Sequence, residues 1–534
     1  MNWVGYRAFS NLLIICMAIA LGFLGACSNS VLDAEIDEHR DLIEISQEES
    51  SSSLKSSSSQ AKSSSSKKTT TSKSSSSTSK EKSSSSIKNS SSSSKNNSSS
   101  SVKSSSSKAK SSSSVKSSSS SSEDSSSSLI ESSSVESSSS EMVTLDVLEL
   151  DDKEYPYADI PRVVIETENR VAIKDRETEI PAKLQIWGEK QPETEILDLT
   201  IRGRGNTSWW DMPKKGYKIE FVKKQSMLGM PKDKDWALIA NYADRTLMRN
   251  YIAYRLSAAL GAYYAPRCEF AELYLNGEYL GVYLMTETIK ISENRVNIPK
   301  NENSYIVEFD KKYKTDEQVV FSDVLLNNGT GKPLRVHDPK NATEKTLETL
   351  QKHVESFEEY LKTIEAGEDN EVEGWMNVDE AVKHYWVQEF SKNVDASFST
   401  SVYFSWIKGE KIMMGPVWDF DLGFGNIAYE GYRKPEEWHI RNKYWNIYLF
   451  DDKIFAEQVK KKWSDEHHLF ESVLDSIDKT SARLKKAVKN NFKRWDILGL
   501  KKSWLLESYE SYDEVVNDWK NWITKRIQWI DSHY

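Results

Sequence analysis

Cysteine is scarce in this 534-residue chain, which has three: Cys16, Cys27 and Cys268. Two sit near the N-terminus and the third stands alone, so a disulfide scaffold is excluded. Cys268 reads as a small core residue rather than a nucleophile. Long apolar runs are scarce too. Leu12–Ala26 is 15 residues long, too short for a confident span, and a multispanning membrane protein is excluded. Basic charge is also short, with a net of −10, which argues against nucleic acid as a partner because phosphate binding needs a basic surface. Among the eight histidines, His467-His468 beside Asp465 and Glu466 reads as solvated helix surface, and His384 as a core histidine.

What is present is unevenly placed. Residues 48–141 are mostly serine, with 13 lysines spread one per several serines, which reads as a solvated spacer. Beyond residue 144 lie 16 Trp, 23 Tyr and 14 Phe, with 56 basic against 67 acidic residues. That acidic, aromatic-rich part can bury a core and is not disordered. The apolar run ends at Leu24-Gly25-Ala26-Cys27, which resembles a bacterial lipoprotein box. The expectation is a signal segment over 1–26 and a lipid on the Cys27 thiol, holding the chain to a membrane; an ordinary cleaved signal is the alternative. Residues 27–144 then form a serine- and lysine-rich linker, its roughly 95 serine-rich residues reaching on the order of 50 Å. Ser28 after Cys27 lacks the usual inner-membrane retention cue, so outer-membrane or cell-surface display is expected. Residues 145–534 form the folded part.

Alternation predicts strands over Pro161–Thr167, Ala182–Trp187, Asp198–Arg202 and Tyr217–Phe221. Asp244 is read as the N-cap of a helix ending at Gly261. Asn276-Gly277 marks a hairpin. Amphipathic spacing predicts a helix over 343–364, and a second runs from Val378 to Ser391. Ser401–Ile407 and the segment leading into GPVWDFDLGFG read as strands. Helices follow to the end, anchored by Trp463, Trp495, Trp519, Trp522 and Trp529. Strands first and helices later give an α+β class.

Three segments carry chemistry. In RGRGNTSWW, Gly203 and Gly205 allow close backbone approach while Arg202 and Arg204 supply guanidinium groups, which suits a phosphate cradle or, more plainly, a tight turn. Lys218 on the following strand either reaches a phosphate or points into solvent. Asp419 and Asp421 stand two apart, so on an extended strand both carboxylates face one way, an arrangement that a cation such as Mg²⁺ or Mn²⁺ would neutralise. Asp395 ends the preceding helix, where the helix dipole disfavours a carboxylate. Asp395 with Asp419 could also flank a sugar bond.

A Gly/Arg turn, a strand lysine, a helix, a hairpin, a catalytic-type Asp and then a metal-type Asp before Phe is the linear order of protein-kinase parts. The blocks IRGRGNTSWWDMPKKGYKIEF, MLGMPKDKDWALIANYADRTLMRNYIAYRLSAALG, LYLNGEYLGVYLMTETI, FSKNVDASFSTSVYF and MGPVWDFDLGFGN resemble the CotH (spore coat protein H) kinase-like family over about residues 160–450. The resemblance implies an atypical protein-kinase fold that transfers phosphate from ATP to serines of extracytoplasmic proteins. It implies Asp395 as the catalytic-loop Asp, Asp419 as the Mg²⁺ ligand of a DFG-like segment and Asp421 as a second ligand. Lys218 becomes the nucleotide-phosphate lysine, Arg202 and Arg204 brace phosphates, and Glu287 belongs to the hinge. The pattern departs from typical kinases: Asn393-Val394-Asp395 replaces HRD, Thr400 stands where a second-metal Asn would be, and Asn426 lies too far along for that role. The protein substrate is unnamed, and the chain's own serine tract is one candidate. The other reading is a non-catalytic surface module for adhesion or coat assembly.

Overall fold

Apolar residues at every second position wrap the first strands into a ring. The computed structural model describes Leu145 and residues 150–534 apart from 429, 503 and 504, all within one compact unit, Ser139–Tyr534. The expected signal segment, Cys27 and the serine tract lie outside the described residues. Strands β1 (Arg162–Thr167), β2 (Ile180–Trp187), β3 (Leu197–Arg204), β4 (Gly216–Gln225), β5 (Asp233–Ile239), β6 (Cys268–Leu275) and β7 (Glu278–Glu287) form a closed barrel in the order β1-β2-β3-β4-β5-β7-β6. Parallel pairing of β1 with β6 closes it, and the remaining pairs are antiparallel. Ile201 pairs with Ile219 inside, so their neighbours Arg202 and Lys218 pair directly on the outer face. At the β6–β7 hairpin Asn276 (φ 52°) and Gly277 (φ 82°) take the left-handed backbone that a two-residue turn requires.

A second, antiparallel sheet has the order β12-β11-β8-β10-β9, from β8 (Ser304–Phe309), β9 (Val319–Ser322), β10 (Lys332–Asp338), β11 (Val402–Ile407) and β12 (Met413–Met414). The longer helices are α1 (Arg249–Ala259), α2 (Glu344–Leu361), α3 (Val378–Ser391), α4 (Lys453–Arg494) and α5 (Tyr512–Asp531). Side chains of Thr343, Asn377, Asp452 and Ser511 cap α2 to α5 by accepting backbone N–H groups. Trp463 and Trp519 are buried as expected, while Trp495, Trp522 and Trp529 are only partly covered. The arrangement is α+β.

The 42-residue α4 is held to the barrel at several points, one of which depends on a glycine. Gly281 in β7 has φ +94°, and a Cβ there would stand 2.6 Å from Asn491 Oδ1. Asn491 instead comes close enough to accept the Val282 N–H at 3.1 Å and a hydrogen from the buried Lys214 Nζ at 2.9 Å.

Three local expectations change. Helix α1 starts at Arg249, because Leu247 adopts φ +63°; Asp244 still accepts the Thr246 N–H at 3.0 Å and the Arg249 N–H at 2.9 Å from before the helix. Helix α3 stops at Ser391, with Lys392 left-handed at φ 48°, so Asp395 belongs to the following loop and not to a helix end. Strand pairing after β11 ends at Met414, and Asp419 has φ +61°, so the two-apart carboxylates are not on an extended strand.

Candidate active site

Four aspartates meet beside the start of α1, although they come from three separate stretches of chain. Asp244 precedes the helix, Asp395 follows α3, and Asp419 and Asp421 follow β12. Their loops are tied by asparagine amides. Buried Asn393 donates to the Asp419 main-chain oxygen at 2.9 Å and to Gln388 Oε1 at 3.1 Å. Asn250 of α1 accepts the Phe420 N–H at 2.8 Å. Asn426 donates to the main-chain oxygens of Asp421 at 2.6 Å and Ala243 at 3.3 Å. Lys392, next to Asn393, donates to three main-chain oxygens of the 431–436 stretch at 2.6–3.2 Å, which fixes the start of the Asp395 loop.

The charges are therefore held together by main-chain anchoring, not by strand geometry. Burial, the charges of Asp419 and Asp395, a hydrogen bond with Asp419 and the charge of Asp244 all push the Asp421 carboxyl well above its ordinary range. Asp244 is fully buried and pairs with Arg249. Tyr254 stacks on Trp418 at 5.7 Å between ring centres, and burial followed by the charge of Asp419 raises its phenol, so it stays a neutral donor.

The expected cations divide. Arg204 lies beside Trp418 and Tyr254, its guanidinium 5.0 Å from the Trp418 ring centre. Arg202 and Lys218 share the outer barrel face with it. Arg202 pairs with Glu179 at 2.8 Å, and Lys218 with Asp235 at 2.9 Å and Glu220 at 3.2 Å. Glu287 lies apart from these, fully buried, and accepts from Arg267 at 2.8 Å, Arg295 at 2.6 Å and Tyr264 at 3.1 Å. The two loop glycines answer to local packing: a Cβ on Gly203 would sit 2.5 Å from the Trp209 ring, and Gly205 has φ +111°. Thr400 is buried and donates to Asp310 at 3.4 Å. Cys268 is partly exposed, and burial by the surrounding protein pushes its thiol up, away from the reactive thiolate. His384 is buried as expected, with Nε2 lacking an acceptor or donor.

Among the described residues, no three His, Cys, Asp or Glu side chains are arranged to hold a metal by themselves, and no helix is long and apolar enough to cross a membrane. A family model described as CotH kinase protein matches residues 201–530. The chain belongs to the CotH family. The CotH match begins in β3 and ends in α5, so it contains all four aspartates and extends past residue 450 through the C-terminal helices. Inner spore coat protein H of Bacillus subtilis (strain 168) is 36% identical over 93 residues, covering 17% of this chain and 24% of that relative. The aligned part thus spans about a quarter of the curated relative's length. Asp244, Asn250 and Asn426 were not legible as site residues. In sequence Asp244 resembles a helix cap, and only the return of the chain after β12 sets it beside Asp421.

Proposed function

We propose that this CotH-family chain is an exported atypical serine kinase with a kinase-like fold. It uses ATP with Mg²⁺ or Mn²⁺ and phosphorylates serines of extracytoplasmic proteins. The observation that carries the reading is the convergence of Asp244, Asp395, Asp419 and Asp421. Hard carboxylate oxygens suit Mg²⁺, which takes one or two carboxylates and keeps water and substrate phosphates for the rest of its shell. Asp419 and Asp421 would hold the ion, whose contribution when bound is to neutralise phosphate oxygens. Asp395 accepts the proton of the acceptor serine as its Oγ bonds to the γ-phosphorus and the bond to the ADP oxygen breaks. Arg204 offers its guanidinium to the phosphates beside Trp418, and Lys218 and Arg202 on the same barrel face join it on exchanging Asp235 and Glu179 for phosphate oxygens. Glu287, held in its own buried ion pairs, supports the strand from which the chain leaves the barrel. Cys27 would carry the lipid that anchors the protein, and the serine tract beside it is one acceptor. The relative's name as a spore coat protein agrees with a coat or surface setting.

Labelled ATP with Mn²⁺ or Mg²⁺ and candidate proteins tests the reading. Asp395→Ala and Asp419→Ala should each lower transfer by about 10²-fold or more with circular dichroism unchanged. Transfer that survives both substitutions refutes the roles. A folded protein that transfers nothing points to the second reading, a non-catalytic adhesion or assembly module.

A further inference from the structure

Between α3 and β11 the chain forms no ladder of its own, and Lys392, Phe398 and Ser401 all take left-handed backbone, at φ 48°, 56° and 59°. Side-chain bonds therefore take over the placing of Asp395 in this loop. Lys392 and Asn393 hold its start. Its far side is held by His439, a buried residue that directly precedes the single turn Ile440–Asn442. His439 Nε2 stands 2.9 Å from the Ser397 hydroxyl, and that hydroxyl lies 2.8 Å from the Val394 main-chain oxygen. The Val394 oxygen is also a hydrogen-bond partner of the His439 ring. Val394 and Ser397 bracket Asp395 in the chain, so the three groups close a turn around it.

His439 is itself fixed from behind. Its main-chain N–H donates to one oxygen of Glu389 at 2.9 Å, and the Arg441 N–H donates to the other at 2.8 Å. Glu389 is in turn the buried partner of Arg526. Tyr432 meets the imidazole edge to face, with 4.9 Å between ring centres. Burial, then the charges of Lys443, Lys392 and Arg526, push the imidazole down to about 3 and keep it neutral. A neutral ring still has one N–H to donate.

We propose that His439 is a positioning residue for Asp395, acting through the Ser397 hydroxyl and the Val394 carbonyl. It touches neither nucleotide nor acceptor, and no proton passes through it. The proposal rests on Asp395 serving as the base of phosphoryl transfer, and it adds the residue that aims that base. Such aim matters, because a misplacement of about 1 Å can cost about a hundredfold in rate.

Transfer from labelled ATP by the full chain separates this role from mere support of the fold. His439→Ala should lower kcat by about tenfold to a hundredfold with KM for ATP unchanged. His439→Gln, whose amide can reach toward Ser397, should regain most of the loss. Ser397→Ala should reproduce the loss, and it keeps the test valid if His439→Ala does not fold. Because the two residues act in series, the double alanine variant should be no slower than the slower single. Parent kcat in Ser397→Ala, or losses that multiply in the double variant, would overturn the proposal. A parent that transfers nothing refutes the kinase reading instead. The hold on the loop is then read by hydrogen exchange over residues 393–401, which should quicken in Ser397→Ala while α5 is unaffected. Unchanged exchange there overturns it.

Discussion

The outer face of the barrel and the loops after α3 and β12 both crowd like charges together, and they resolve the crowding in opposite ways. On the barrel, Arg202 lies directly opposite Lys218 on adjacent strands, a pairing that costs stability when left alone. Neighbouring strands and loops supply the answer, with Glu179 for Arg202 and Asp235 for Lys218. Burial pushes Asp235 up, but hydrogen bonds and charge from Lys290 and Lys218 outweigh it and hold the carboxyl below its ordinary value. In the loops, Asp421 meets burial and three more negative charges, and its carboxyl is pushed toward the protonated form. The loop before β2 and the adjacent strand β5 bring the partners that the register itself does not. Loops anchored by Asn393, Asn250 and Asn426 set carboxylate beside carboxylate, and the buried Asp421 among them is pushed toward its neutral form.

The comparison can be broken most severely through buried charge in the helical half. Arg526 and Glu389 are both fully buried and paired at 2.7 Å, and Arg526 also holds the main-chain oxygens of Pro435 and Glu437 at 2.7 and 2.8 Å. Arg526→Met should cost about 3–5 kcal/mol in urea unfolding; a cost below about 1 kcal/mol would mean this half tolerates bare buried charge. A smaller effect sharpens the contrast at the acidic centre. Because the folded-state value of Asp421 is raised above its ordinary 3.8, the native state binds the extra proton in that window. Its contribution to stability is therefore full below about pH 4 and lost as pH rises through the folded value. Melting curves in chelator from about pH 4 to 8 should fall more steeply for the parent than for Asp421→Asn, and equal slopes would show that the folded state binds no extra proton at Asp421. Smallest of all is the exposed barrel pair Lys183–Asp198, at 2.7 Å. Lys183→Ala should shift stability by no more than about 0.5 kcal/mol, and a larger loss would show that barrel surface pairs do more than cancel local repulsion.

Local signals were legible where the chain's own neighbours decide the conformation. Alternation marked the first four strands, Asn276-Gly277 marked its hairpin, and the spacing of Leu350, Val354, Phe357 and Leu361 marked α2, whose four residues are fully buried. The candidate aspartates were legible as types, through the DFD segment and the aspartate 24 residues before it. Their geometry was not. Asp419 was expected on a strand and occupies a left-handed turn, where the Asn393 and Asn250 side chains hold the C=O and N–H of the peptide bond that joins it to Phe420. The partners of Lys218 and Glu287 were equally hidden, since Asp235, Arg267 and Arg295 are neighbours in space with no periodic relation to them.

The sequence by itself determined the acidic, aromatic-rich folded part, its α+β class and the family, because composition, periodicity and long motif blocks are local properties of the chain. Only the tertiary structure decided that β1 closes on β6 across more than a hundred residues, that Asp244 joins the acidic group, and that Asn250 of α1 holds the Phe420 N–H. Those outcomes rest on contacts between distant segments, whose pairing depends on how the whole core packs and leaves no periodic trace in the sequence.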